Sequence, residues 1–104
     1  MRLDFSPQSL AVVDRLITTR FGPNAEAETI ATAVQAFGAY VGEVVRRSMG
    51  GVWHDEEMIG RPILLQVGSQ KQRLYPFHIV QECFQLRQQK SGVLATWYQS
   101  LGCT

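Results

Sequence analysis

The chain has 104 residues, of which 45% are apolar and 18% charged, and its formal net charge is +1. The low charge argues against disorder, and near-neutrality argues against a polybasic nucleic-acid binder. The length suffices for one hydrophobic core, so we predict a single domain over residues 1–104. No apolar run approaches about 18 residues, and no apolar segment follows the start at Met1. We therefore expect a cytoplasmic protein without a membrane span.

The first predicted element is a helix from Pro7 to Arg20. Ser6 before Pro7 is typical of an N-cap followed by the first helical residue. Apolar residues recur at helical spacing in this segment, at Leu10, Val13, Leu16 and Ile17. The sequence FGPN at 21–24 ends the helix, because Gly and Pro together break the pattern. Asn24 is then placed to cap the next helix.

The longest predicted element is a helix from Ala25 to Met49, around which the rest of the chain is organised. Its apolar stripe recurs at steps of three and four, at Ile30, Val34, Phe37, Val41, Val44 and Val45. Five residues widen one edge of the stripe, here named the small-residue edge because four of them are small; they are Ala27, Ala31, Gly38, Gly42 and Met49. Apolar and small residues then cover about half the circumference, so neighbours must cover this helix from two directions.

Two further properties of this helix follow from its sequence. A Gly costs about 1 kcal/mol relative to Ala inside a helix, so Gly38 and Gly42 indicate the close approach of another backbone. At 1.5 Å per residue, about 25 residues span about 37 Å, enough to cross the domain. The pair Gly50-Gly51 is a suitable end, since Gly adopts the left-handed conformation that follows many helices.

Three strands and two helices complete the prediction. The strands are Val52–His54, Ile63–Val67 and Lys71–Tyr75, joined by short turns as in an antiparallel meander. Pro76 opens a helix that runs to about Gln89, and Val93–Leu101 forms the last helix. The predicted fold is α+β in the order α-α-β-β-β-α-α, with the long central helix packed on a small antiparallel three-stranded meander.

Several segments resemble a pattern found in small bacterial proteins of unknown function. These segments are GAYVGEVVRR at 38–47, GGVW at 50–53 and PFHIV at 76–80, and the opening LDFSPQSL at 3–10 is also similar. The resemblance covers most of the chain. It implies a bacterial source and no assigned activity, so no catalytic residue is carried over.

Glu43 is the residue most open to a functional interpretation, because Gly42 beside it would leave room for a ligand or partner. Together with Tyr40, Trp53, Arg47 and His78 it forms a candidate binding site, provided that these side chains converge on a cleft. A buried Glu near a Tyr is a candidate general base with a raised pKa. The alternative is an exposed ion pair, since Arg47 lies one helical turn after Glu43.

Other polar groups give weaker signals. The run HDEE at 54–57 suggests a metal site or a charged hairpin loop, and strand alternation would put His54 and Glu56 on one side. Cys83 lies in an apolar helical pattern as a small core residue, while Cys103 is penultimate; two free thiols are expected, with a disulfide as the alternative. We predict no metal and no cofactor. The glycines match neither a P-loop nor a dinucleotide-binding motif.

A basic patch is also conceivable, with aromatic neighbours that would stack on a nucleotide. Its members would be Arg46, Arg47, Lys71 and Arg73, with Trp53 and Tyr75. A solvated surface is the alternative, and nucleic-acid binding is not favoured in a near-neutral domain.

The sequence favours binding over catalysis. The leading hypothesis is a non-catalytic protein-interaction module of an immunity or accessory type, with an unidentified protein partner or a second copy of the chain. The alternative is a small-ligand-binding or enzymatic domain centred on Glu43, Tyr40, Trp53 and His78. Aromatic residues of the last helix are either a partner-facing patch or core; these are Trp97 and Tyr98, with Leu101.

Overall fold

The computed structural model describes residues 3–101 and has the predicted order of elements. Four helices and three strands follow in the order α-α-β-β-β-α-α, which confirms the α+β class. Their bounds are α1 Ser9–Arg20, α2 Ala27–Met49, β1 Val52–Glu56, β2 Arg61–Val67, β3 Gln72–Leu74, α3 Pro76–Leu86 and α4 Val93–Leu101. Cys103 lies outside the described residues. Among those residues, no helix is both long enough and apolar enough to cross a bilayer.

Helix α2 is an unbroken rod of 23 residues. At about 1.5 Å per residue it is about 34 Å long, which approaches the 40 Å length of the molecule. It ends as predicted at Gly50, whose φ of 83° is left-handed and whose N–H donates to the Arg46 carbonyl at 2.9 Å. The predicted cap at its start is wrong, because the N-cap is Glu26 rather than Asn24 and makes no side-chain capping bond.

Other boundaries also differ from the prediction. Helix α1 begins at Ser9, since Ser6 and Pro7 form a preceding turn in which the Ser6 carbonyl accepts from the Ser9 N–H at 3.0 Å. The hydroxyl of Ser6 does not cap the helix; it donates to Asp4 at 2.6 Å. Helix α3 ends at Leu86, three residues before the predicted end.

The sheet is an antiparallel meander with β2 in the centre. Strand β1 extends through Asp55 and Glu56, which were predicted as a turn, because these residues pair with Pro62 and Arg61. An irregularity interrupts the β2–β3 pairing at Gln66, which has a φ of 59°. The bulge exposes Gln66 and leaves Val67 buried on the side of the core.

The core has two parts, and α2 contributes to both. The larger part is helical and contains Val34, Val41 and Val44 of α2 with residues of α1, α3 and α4. The smaller part joins Val45 to the sheet and to Leu101. Trp97 and Tyr98 pack against both parts, so the aromatic residues of α4 belong mainly to the core and not to an exposed patch.

Candidate functional site

The small-residue edge of α2 is covered along its second half by two aromatic rings. A Cβ added to Gly42 would lie 2.1 Å from Cη2 of Trp53, and one added to Gly38 would lie 2.4 Å from Cδ2 of Phe77. The two rings neighbour each other, with centroids 6.4 Å apart. The glycines therefore admit aromatic side chains from β1 and α3, and the expectation that a backbone approaches them was wrong.

The Trp53 ring is held in place by Glu43. Its indole N–H donates to Glu43 Oε1 at 2.9 Å. The same carboxylate accepts from Arg46 Nε at 2.7 Å and Nη2 at 3.0 Å, and from Arg47 Nε at 3.3 Å. Glu43 thus pairs with both arginines and links the end of α2 to β1.

These bonds remove the chemistry that a general base needs. Hydrogen bonds from Arg46 and Trp53 lower the pKa of Glu43 to about 2, although partial burial opposes that shift. A carboxylate with so low a pKa is a weak proton acceptor near neutrality. The geometry makes Glu43 a structural anchor, although a quarter of its side chain is exposed.

Tyr40 faces the segment that precedes α1. Its hydroxyl accepts from the Phe5 N–H at 2.9 Å and lies 2.7 Å from Ser9 Oγ. The Phe5 ring stacks on Tyr40 with centroids 4.7 Å apart, and the Arg47 guanidinium lies 4.0 Å from the Phe5 centroid. Phe5 has a φ of 62°, so these contacts fix a residue in a sparsely populated backbone conformation.

Four of the five candidate residues therefore form one chain of contacts. Arg47 connects the Tyr40–Phe5 stack to Glu43, and Glu43 connects to Trp53. His78 lies elsewhere: its ring is edge-on to Tyr75 at 5.7 Å, and its side chain is exposed.

The remaining candidate groups do not gather into a catalytic site. His54 Nε2 lies 3.9 Å from Glu56, on the same side of β1 as strand alternation predicts. No cluster of three His, Cys, Asp or Glu side chains suited to a metal occurs within residues 3–101. Lys71 and Arg73 are exposed at the other edge of the sheet, and the Trp53 indole N–H is already bonded to Glu43.

Asp14 is a buried polar residue that the sequence analysis missed. Its carboxylate accepts from the Leu94 N–H at 2.9 Å and the Ala95 N–H at 3.1 Å, and so caps the start of α4 from a distance. The Cys83 thiol lies 3.9 Å from the same carboxylate. Burial raises the pKa of Asp14 despite these bonds, and burial also raises the pKa of Cys83 to about 12.

A signal for Asp14 was present in the sequence. Positions 10, 13, 14 and 17 form one helical stripe, so an acid at 14 falls among apolar core residues. Gly92 precedes α4 and has no side chain to cap it. The Asp14 carboxylate on the apolar stripe of α1 therefore caps α4, which has no capping side chain of its own.

The first half of the small-residue edge remains open. Between α2 and α3 lies a cavity of about 330 Å³, here named the α2–α3 trough. Its lining residues are Ala27, Ile30, Ala31, Val34, Arg61, Gln81, Phe84, Gln85 and Arg87. Only Val34 and Phe84 of these are buried, so the trough is shallow with an apolar floor. Ala27 and Ala31 are exposed on the same edge of α2 on which Phe77 covers Gly38 and Trp53 covers Gly42.

Comparison with protein-family models, with curated proteins and with solved structures gave no match. The resemblance to small bacterial proteins therefore stays a prediction.

Proposed function

We propose that the protein is a non-catalytic, cytoplasmic protein-interaction module that binds a segment of its partner in the α2–α3 trough. The observation that carries the proposal is the open half of the small-residue edge of α2. The second half of that edge is covered by the rings of Phe77 and Trp53, whereas Ala27 and Ala31 face solvent.

The shape of the trough favours a protein segment over a small molecule. Small-molecule sites enclose about 70–90% of their ligand's surface. Seven of the nine residues that line the trough reach solvent, so its walls are too low for such enclosure. A polypeptide segment can instead place large side chains on the floor formed by Val34 and Phe84 and keep its other face in water.

The reactive groups described above support a binding role over a catalytic one. Glu43 has a pKa of about 2 and is saturated with donors, while Cys83 is buried with a pKa of about 12. Neither a base of such low pKa nor a thiol of such high pKa is activated at neutral pH.

The test compares two substitutions on the exposed surface of one helix. Ala31→Glu places a charged side chain in the trough, whereas Ala39→Glu places the same side chain on α2 outside it. Both residues are exposed, so both variants should fold, which circular dichroism would verify. The wild type and each variant are used as bait in lysate of the cells that produce the protein.

We expect a stoichiometric partner that is retained by wild type and Ala39→Glu and lost by Ala31→Glu. Identical recovery by all three baits would overturn the trough as the binding surface. Recovery of no stoichiometric partner, together with a monomer in light scattering, would overturn the interaction module itself.

A further inference from the structure

We infer, on the basis of the proposed function, that the segment bound in the α2–α3 trough is an amphipathic helix with two carboxylates about two turns apart. One carboxylate would pair with Arg61 and the other with Arg87. These are the two cations that line the trough, and neither forms an ion pair with the described residues.

Arg61 is positioned by a neutral partner. Its Nη1 donates to Gln81 Oε1 at 2.7 Å, and its other N–H groups make no hydrogen bond with residues 3–101. Glu56 is its cross-strand neighbour, but the Glu56 carboxylate lies 3.9 Å from His54 instead. The half-buried Arg61 guanidinium is thus oriented and keeps free donors at the edge of an apolar floor.

Arg87 has a different set of neutral partners. Its Nε donates to the Phe21 carbonyl and its Nη2 to the Gly22 carbonyl, each at 3.0 Å, and its Nη1 donates to the Phe84 carbonyl. These bonds fix the guanidinium where α3 ends against the loop after α1. They leave its positive charge without a compensating acid, and a carboxylate would form charge-assisted hydrogen bonds there.

The spacing of the two cations fits a helix lying along α3. Gln81, which accepts from Arg61, and Arg87, which directly follows α3, are six residues apart in the chain, so their backbones are about 9 Å apart along the α3 axis. Residues seven apart on a helix share one face and are about 10 Å apart. On this backbone spacing we expect acids at positions i and i+7 to pair with the two cations, and large apolar side chains between them to pack on Ile30, Val34 and Phe84.

The small residues of α2 provide the close approach that a helix needs. Ala27 and Ala31 are one turn apart and continue the edge on which Gly38 and Gly42 accept aromatic rings. Helix α3 already packs on this edge through Phe77, which covers Gly38. A partner helix would pack on the same edge, with its large side chains over Ala27 and Ala31.

A display library of 18-residue helical peptides tests the inference. The template contains Ala, Gln and Lys, with five positions of one face randomised, so that any acid is introduced by selection. Selection is performed against wild type and against Arg61→Gln, with Arg61→Lys as a second variant that keeps the charge without the forked geometry. Thermal unfolding of each variant verifies that it is folded before selection.

We expect wild type to enrich apolar residues at i+3 and i+4 and Asp or Glu at i and i+7. Replacing the acid opposite Arg61 by its amide should weaken binding to wild type about tenfold, and binding to Arg61→Gln less than twofold. Arg61→Lys should bind with intermediate affinity, because Lys presents a point charge instead of a fork.

Two other outcomes separate this inference from the proposed function. Enrichment of helices without an acid preference, with binding abolished by Ala31→Glu, would overturn the inference and leave the interaction module in place. Enrichment of no peptide that Ala31→Glu excludes would also overturn the inference of a helical partner segment, whereas the proposed function is overturned only by the outcome of the bait experiment.

Discussion

Replacing Gly42 by Ala should destabilise the protein, although Ala is the better helix former. The added Cβ would lie 2.1 Å from Cη2 and 2.5 Å from Cζ2 of Trp53, so the indole must move. That movement would also weaken the 2.9 Å bond between the indole N–H and Glu43. The overpacking costs about 1–3 kcal/mol and the weakened bond to a charged acceptor about 1–2 kcal/mol, whereas the gain in helix propensity is about 1 kcal/mol.

The net expectation is a free energy of unfolding lower by about 2 kcal/mol. Urea unfolding followed by circular dichroism measures this quantity directly. For a domain of this size the same loss lowers Tm by about 8–16 °C. Ala39→Gly on the exposed face of α2 is the matched control for propensity, and it should cost about 1 kcal/mol without any steric term.

A second background tests the cause. In a Trp53→Leu protein the ring that meets the new Cβ is absent, so Gly42→Ala should reverse sign and stabilise by about 1 kcal/mol. An equal loss in both backgrounds would show that the ring is not the obstacle. A gain in the wild-type background would refute the seating of Trp53 on α2 altogether.

Four further outcomes are expected. The low pKa of Glu43, about 2 against an ordinary value of 4.5, contributes stability above pH 4.5 that is lost as the pH falls towards 2. In Glu43→Gln the free energy of unfolding should therefore depend less on pH over that range in acid unfolding. At pH 7 the same variant should lower the free energy of unfolding by about 1 kcal/mol, because solvent partly screens the pair. Asp14→Ala leaves the buried Leu94 N–H and the partly buried Ala95 N–H of α4 without an acceptor, so urea unfolding should show a loss of about 2–4 kcal/mol. Because the pKa of Asp14 is raised, the stability of wild type relative to Asp14→Asn should be greatest below pH 3.8 and should fall as the pH rises, as paired urea titrations would reveal. In a Cys103→Ser protein, Cys83 should react with iodoacetamide only under unfolding conditions, and fast labelling of the native protein, detected by mass spectrometry, would contradict its burial.

The order of elements was predictable because each long element carries a clear period. The spacing of Val34, Val41 and Val45 fixes the inward face of α2, and these three residues are buried. Gly50 ends α2 because Gly readily adopts a left-handed conformation, and its φ of 83° confirms this. Sequence periodicity and glycine conformation are local properties, so no tertiary information was needed.

The starts of α1 and α2 were less predictable because competing bonds are available to the capping residues. Ser6 looks like an N-cap, but its hydroxyl bonds to Asp4 and its carbonyl forms a turn with Ser9. Asn24 precedes α2, yet the helix begins later, after Glu26. Short polar side chains have several local partners, and the sequence does not rank them.

Contacts between distant residues were mostly beyond local patterns. The sequence placed Glu43 near Arg47, but the bond from Trp53 depends on how β1 packs on α2. Likewise, the three carbonyls that bind Arg87 come from two parts of the chain, which only the fold brings together. The sequence therefore could not show that Arg61 and Arg87 line one trough.

Under the proposed function, the two halves of α2 have different roles, one in stability and one in binding. Its second half carries Gly38 and Gly42 together with Glu43, and these residues are occupied by contacts that hold the sheet and α3. A partner placed there would have to displace the packed rings of Phe77 and Trp53 and break bonds to the Glu43 carboxylate. Its first half has Ala27 and Ala31 exposed above an apolar floor, and this is where the proposed partner segment would bind. The segment with the most recognisable sequence pattern thus has a structural role, and under the proposed function the less distinctive alanine segment is the one that binds the partner.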